Sequence, residues 1–214
     1  MTIGLKQSEV QSMLDLSLYL VTARYDYSDE KFLRIINEAC RAGVTMVQLR
    51  EKNATTREIF ELALKVKQIT DSYQIPLIID DRIDICLAVD ASGVHIGDNE
   101  MPIGISRKLL GPNKILGVSA KTLARAKKAE QLGADYLGTG AIFPTQTKVI
   151  TKHTEITTLN EIAQNVNIPV VAIGGIKTTN VQAFHDIPIA GVAVVSGIMK
   201  VDNVEETVQE LLNR

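Results

Sequence analysis

Apolar residues in this chain follow two alternating rhythms. Short, β-branched and nearly continuous apolar runs recur at positions 18–22, 44–49, 77–79, 93–96, 114–118, 135–138, 170–173 and 191–195. They are too short for helices and too uniformly apolar for a sheet with one wet face. Strands covered on both faces, as in a parallel sheet, have that pattern. Between the runs the apolar spacing turns helical. Phe32, Leu33, Ile35, Ile36, Ala39 and Cys40 form one stripe, opened by the cap candidate Ser28 with Asp29 and Glu30 behind it and closed by Gly43. Thr55 and Glu58 have capping-box spacing ahead of Ile59, Leu62, Ala63 and Val66. Leu123, Ala126, Ala129 and Leu132 make another stripe, stopped by Gly133, and 201–214 reads as a final helix. Residues 82–88 leave room for one or two turns, and 7–14 for an extra helix before the first strand.

Eight strands alternating with helices close most economically into an α/β fold, a (β/α)₈ TIM barrel, with 1–214 as a single domain. Ala42-Gly43-Val44-Thr45 and Leu132-Gly133-Ala134-Asp135 echo one another four units apart, each with a helix-ending glycine before a strand. A doubly wound open sheet is the alternative, but no glycine-rich dinucleotide fingerprint follows the first strand.

Composition narrows the function classes. The 214 residues are 45% hydrophobic and 22% charged, and 23 Lys+Arg against 25 Asp+Glu leave a net charge of −2. That balance excludes a disordered or collagen-like chain and lacks the basic excess of a nucleic-acid surface. Cys40 and Cys86 are the only cysteines, with no CxxC spacing or clustered His, so neither a disulfide framework nor a zinc site is expected. No apolar run reaches the roughly 18 residues of a membrane span. The first residues lack the basic start and apolar core of a signal peptide. The expectation is a soluble cytoplasmic protein that acts on small molecules, with no membrane or nucleic-acid partner; a homo-oligomer is compatible.

Barrels carry their chemistry where strands end and the following loops begin. Past the second strand stand Gln48, Leu49, Arg50, Glu51 and Lys52. Gln48 and Arg50 share a side by alternation, and a guanidinium fork with a compact ammonium suits phosphate oxygens; a solvated charge cluster leading into a helix looks the same. Asp80 and Asp81 follow the third strand, Asp98 and Glu100 the fourth. Such carboxylates suit a hard cation such as Mg²⁺, and Asp80 or Asp81 equally suits the cap of the short helix after them. Past the sixth strand a long loop carries Pro144, Thr145, Gln146, Thr147 and Lys148, offering hydroxyls and a cation to an anion, as a functional lid or a plain surface loop. Gly174-Gly175 and Val195-Ser196 fit the backbone phosphate site common after the last two strands, or simple turns. Ser119 ends the fifth strand. No His–acid pair is evident to activate it, so hydrogen bonding to an anion suits it better than nucleophilic attack. His95, within the fourth strand, and His153, in the lid, read as structural or solvent-facing.

Val47-Gln48-Leu49-Arg50-Glu51-Lys52, Ile79-Asp80-Asp81-Arg82, Gly93-Val94-His95-Ile96-Gly97, Gly117-Val118-Ser119, Gly133-Ala134-Asp135-Tyr136, Phe143-Pro144-Thr145-Gln146-Thr147-Lys148, Ala172-Ile173-Gly174-Gly175-Ile176 and Val195-Ser196 occur in one order. In that order and spacing, from about residue 18 to residue 199, the chain resembles the thiamine-phosphate synthase family. The resemblance implies a Mg²⁺-dependent transferase. Its substrates would be 4-amino-5-hydroxymethyl-2-methylpyrimidine diphosphate and a thiazole phosphate or its carboxylate form, and its products thiamine phosphate and pyrophosphate. Departure of pyrophosphate would leave a resonance-stabilised pyrimidine cation for the thiazole nitrogen to capture.

The resemblance also distributes roles. Gln48, Arg50 and Lys52 would contact the pyrimidine diphosphate, with Ser119 and Lys148 on its pyrophosphate. Asp81 and Glu100 would hold Mg²⁺. Thr145, Thr147, Gly175, Val195 and Ser196 would cradle the thiazole phosphate. Leu49 and Glu51, within the first motif, and Gln146, within the lid motif, join the substrate-binding set. Arg50, Lys52, Ser119 and Lys148 form the catalytic group. The family usually has Asn at the pyrimidine-recognising position held here by Asp80, and Asp where Glu100 stands. A thiazole tautomerase would lack most of the diphosphate grip and use a His near the fifth strand's end. A phosphate-ligand sensor would keep the cradle without turnover, and a phosphosugar barrel enzyme would share only the glycine phosphate site.

Overall fold

The computed structural model describes residues 14–145 and 153–213. Eight parallel strands close in chain order: β1 (Leu18–Val21), β2 (Met46–Leu49), β3 (Leu77–Asp80), β4 (Gly93–Ile96), β5 (Ile115–Ser119), β6 (Tyr136–Gly140), β7 (Val170–Ile173) and β8 (Gly191–Val194). Leu18 pairs with Val192, so β8 returns to β1 and the open-sheet alternative is excluded. The fold is the (β/α)₈ barrel that the alternating rhythms predict.

Continuous apolarity in the strands reflects burial on both faces. Leu18, Leu20, Val47, Leu49, Leu77, Ile79, Val94, Ile96, Leu116 and Val118 pack outward into the layer shared with the helices. The alternate positions, including Tyr19, Val21, Met46, Ile78, Ile115, Tyr136, Val171 and Ala193, fill the barrel. One strand set therefore carries two cores, and only the inner one leads to the cleft.

The helices are Asp29–Ala42, Thr56–Ser72, Ile83–Ala88, Ile103–Leu110, Leu123–Gln131, Ile156–Asn165, Ser196–Met199 and Val204–Leu212, with a 3₁₀ turn at Val181–Phe184. Ser28 accepts a bond from Lys31 N, and Gly43 takes the left-handed conformation (φ 111°) that ends the first helix. Thr55 and Glu58 form the reciprocal capping box. Two expectations need correction, and one open alternative closes. Leu132 is 36% exposed and lies past its helix, so only Ala126 and Ala129 of that stripe are buried. The last helix begins at Val204, because the Asn203 side chain accepts from Glu206 N and caps it there. Neither Asp80 nor Asp81 caps Ile83–Ala88; Arg82 holds that position and makes no side-chain cap bond. The helix expected at 7–14 lies outside the described residues, apart from Leu14.

At the N-terminal end of the strands Arg107 ties several loops together. It donates to Gly133 O (2.9 Å), Gly111 O (2.7 Å), Lys114 O (2.7 Å) and Asp135 Oδ2 (2.5 Å). The same Asp135 oxygen accepts from Leu116 N at 2.7 Å. No described helix is long and apolar enough to cross a membrane. Cys40 and Cys86 are buried thiols without a disulfide.

Candidate active site

Register carries polar residues into the barrel mouth. Val21 pairs with Gln48, Asp80 with His95, His95 with Gly117 and Ser119 with Gly138. These inward positions form the top layer, and a cleft opens above them at the C-terminal strand ends. Gln48, Arg50, Asp80, His95, Ser119 and Lys121 line one side; Thr145, Gly174, Gly175, Val195 and Ser196 line the other. Asp80 is the last residue of β3 rather than the first of its loop, and Ser119 ends β5 as expected.

The charged side is an interlocked set. Arg50 continues β2, its backbone N–H donating to the buried Thr22 hydroxyl at 3.1 Å. Its Nε lies 3.7 Å from Asp80 Oδ2, and Lys52 Nζ lies 2.7 Å from the same oxygen while also meeting Asp81. Burial pushes the Asp80 carboxyl up, against the pull of Lys52 and Arg50. Burial alone would lower the Lys52 ammonium, but Asp80 and Asp81 outweigh it and hold its pKa above the usual lysine value. Asp81 has φ 56°, and its N–H donates to His95 O at 2.9 Å, which turns the chain out of β3.

Glu100 Oε2 accepts from Gly97 N at 2.6 Å and closes the loop after β4. Asp98 Oδ1 is 3.3 Å from Arg125 Nε. Among the described residues no group of three or more His, Cys, Asp or Glu forms a complete cation cage. Mg²⁺ does not require one, since it usually keeps several waters and takes one or two carboxylates together with substrate phosphates. The oxygen donors of Asp81 and Glu100 suit that chemistry.

The opposite side is backbone-rich. Gly174 (φ 103°) and Gly175 (φ 65°) turn sharply after β7 against the loop that leaves β6. A Cβ on Gly175 would fall 2.5 Å from Pro144 O, so a side chain there would displace that loop. Asn180 Nδ2 donates to Gly175 O at 3.0 Å and fixes the turn.

Leu49 and Glu51 do not line the cleft with their side chains. Strand alternation sends Leu49 into the outer core, and Glu51 Oε1 lies 3.5 Å from Arg24 Nε. Gln146, Thr147 and Lys148 lie outside the described residues. Sequence reading left His95 as structural or solvent-facing, and the structure places it in the cleft lining. Its Nε2 is 2.9 Å from Ser119 Oγ and its Nδ1 3.0 Å from Tyr136 Oη, so Ser119 does have a histidine partner. It also passed over Lys121, and over Tyr19 and Tyr136 as polar groups. The usable signal was parity: His95 shares the inward phase of Gly93, one strand away from Ser119.

A model of the thiamine monophosphate synthase family matches residues 18–198. This chain belongs to that family. It is 60% identical over 197 residues to the thiamine-phosphate synthase of Enterococcus faecalis, covering 92% of this chain and 93% of that protein. The structure of thiamine phosphate pyrophosphorylase from Pyrococcus furiosus superposes with a TM-score of 0.85 at 38% identity, over 94% of this chain and 95% of that one. The 3-hexulose-6-phosphate synthase of Salmonella typhimurium gives a TM-score of 0.73 at 13% identity, covering 92% and 97% of the two chains, and shares the barrel alone. In this chain, a cation-rich side and a glycine-rich side face each other across one cleft.

Proposed function

We infer that this chain is a thiamine-phosphate synthase, a transferase of thiamine biosynthesis built as one barrel domain. It joins the pyrimidine diphosphate to the thiazole phosphate and releases pyrophosphate. The observation that carries this reading is the meeting of Arg50, Ser119, Lys121 and the glycine turn in one cleft, with Lys52 bound to Asp80 at its wall.

The chemistry suits that residue set. The attacking thiazole nitrogen has no proton to lose, so no general base is required. Negative charge gathers on the departing diphosphate, and preorganised donors there lower the barrel's barrier to bond breaking. Arg50, Lys52 and Ser119 receive that charge, joined by Lys148. Gln48 and Asp80 face the pyrimidine. Gly175, Val195 and Ser196, with Thr145 and Thr147, hold the thiazole phosphate. Asp81 and Glu100 would hold Mg²⁺, which when bound neutralises charge on the diphosphate oxygens.

His95 beside Ser119 is the one feature that a thiazole tautomerase would also use. Such an enzyme has no use for the Arg50 and Lys52 pair, and both imidazole nitrogens here have hydrogen-bond partners. Purified protein given both substrates decides the matter. Thiamine phosphate with pyrophosphate supports the synthase; thiazole isomerisation alone, or binding without turnover, refutes it.

A further inference from the structure

Polar side chains cross the barrel in one hydrogen-bonded series, and donor chemistry fixes its direction. The Gln48 amide nitrogen can only donate, and it does so to Tyr19 Oη at 2.6 Å. Tyr19 is fully buried, so its own hydrogen goes to its other hydroxyl partner, Tyr136 Oη, 2.8 Å away. Tyr136, equally buried, then passes its hydrogen to His95 Nδ1 at 3.0 Å. A neutral imidazole that accepts at Nδ1 carries its proton on Nε2, and Nε2 lies 2.9 Å from Ser119 Oγ. The serine oxygen therefore accepts, and its own hydrogen is left to point away from the series. Ser119 lines the cleft beside Arg50 and Lys121.

Burial supports this order, and the packing makes room for the rings. Burial pushes the pKa of both phenols up, so neither supplies a phenolate that would reverse the direction. A Cβ on Gly117 would sit 2.2 Å from Tyr136 Cζ, and one on Gly138 would sit 3.1 Å from His95 Cε1. The opposite direction would turn a serine lone pair toward the cleft, where it would repel an anion.

We propose that His95, backed by Tyr136, Tyr19 and Gln48, is a positioning residue that makes the Ser119 hydroxyl a dedicated donor to the departing diphosphate. The assignment rests on the synthase reading of the cleft. Gln48 begins the series and also faces the pyrimidine, so substrate contact at one end is coupled to the donor at the other.

The direction is read first in the unaltered, ¹⁵N-labelled chain without substrate, from two-bond ¹H–¹⁵N correlations of the imidazoles. His95 shows the Nε2–H pattern; an Nδ1–H pattern overturns the proposal. Turnover gives the second reading. His95→Leu lowers kcat about tenfold, the size of one lost hydrogen bond in the transition state, while KM for the pyrimidine diphosphate changes less than about threefold. His95→Gln, whose amide N–H stands in for Nε2–H, regains most of that loss. Adding His95→Leu to Ser119→Ala costs nothing more, because the group being positioned is gone. Multiplying losses, or no recovery with Gln, overturn the proposal. Unaltered protein that forms no thiamine phosphate fails the synthase reading instead, and the imidazole spectrum still decides the direction of the series.

Discussion

Lys52 Nζ lies 2.7 Å from Asp80 Oδ2 and also meets Asp81, so one ammonium spans both carboxylates at the end of β3. Arg50 Nε approaches the same Asp80 oxygen at 3.7 Å. The cations that would receive a diphosphate are thus held in place by carboxylates before any anion arrives. Little rearrangement is then needed at the moment of reaction, which is where preorganised charge has its effect.

Removing one such cation should cost turnover rather than folding. Arg50→Ala and Lys148→Ala each lower kcat/KM about 100-fold, or about 3 kcal/mol, and keep the circular dichroism of the unaltered chain. Lys52→Ala loses turnover and also stability, because it strips Asp80 and Asp81 of their shared partner. Steady-state kinetics with urea unfolding separate the two patterns. A loss below threefold in Arg50→Ala removes that residue from the catalytic group.

Glycines inside the barrel should rank by what they face. Gly117→Ala drives a methyl into the Tyr136 ring, with contacts from 2.2 to 2.5 Å, and destabilises by about 3 kcal/mol. Gly138→Ala meets only the His95 Cε1 edge at 3.1 Å and costs clearly less. Urea midpoints of the two variants in the reverse order would contradict the packing described.

Arg107 offers a contrast between stability and activity. Its side chain is 16% exposed and that of Asp135 3%. Arg107→Met takes the guanidinium away from a buried carboxylate that keeps its bond from Leu116 N, and costs about 3 kcal/mol. The residue sits at the end of the strands opposite the cleft, so the folded variant keeps its kcat. Denaturant melts with kinetics on the same sample test both halves.

Glu51 gives a pH signature. Burial raises its carboxyl pKa above the ordinary 4.5, with Arg24 only partly opposing. As pH rises from 4.5 to the raised value, the folded chain keeps a proton that the unfolded chain has lost, so this group's contribution to stability falls with pH. Glu51→Gln removes that slope. Its urea midpoint relative to the unaltered chain should rise between about pH 4.5 and pH 7, the sign expected for a raised carboxyl. A flat difference contradicts the assignment.

Much of this was legible because the two rhythms are physical. Strands covered on both faces must be apolar throughout, and Ser28, Gly43, Thr55 and Glu58 are what helix ends require. The strand ends then pointed to Arg50, Asp80 and Ser119. What escaped was cross-strand neighbourhood. His95 and Ser119 are 24 positions apart, and Tyr19 and Tyr136 are 117 apart; only barrel register makes them partners. Asp80 and Asp81 left two readings open, cap or ligand, because one residue of shift decides where a helix begins. Glu51 stands in the first motif, but motif spacing does not say which side of the strand a side chain leaves, and it leaves toward Arg24.

The most direct test is the metal dependence of both products in one reaction with the pyrimidine diphosphate and the thiazole phosphate. Pyrophosphate and thiamine phosphate should appear in equal amounts with Mg²⁺, and both should stop on adding EDTA and resume when Mg²⁺ is restored. Undiminished coupling in EDTA, or pyrophosphate release without thiamine phosphate, would show that the cleft does not work by drawing off a metal-bound diphosphate.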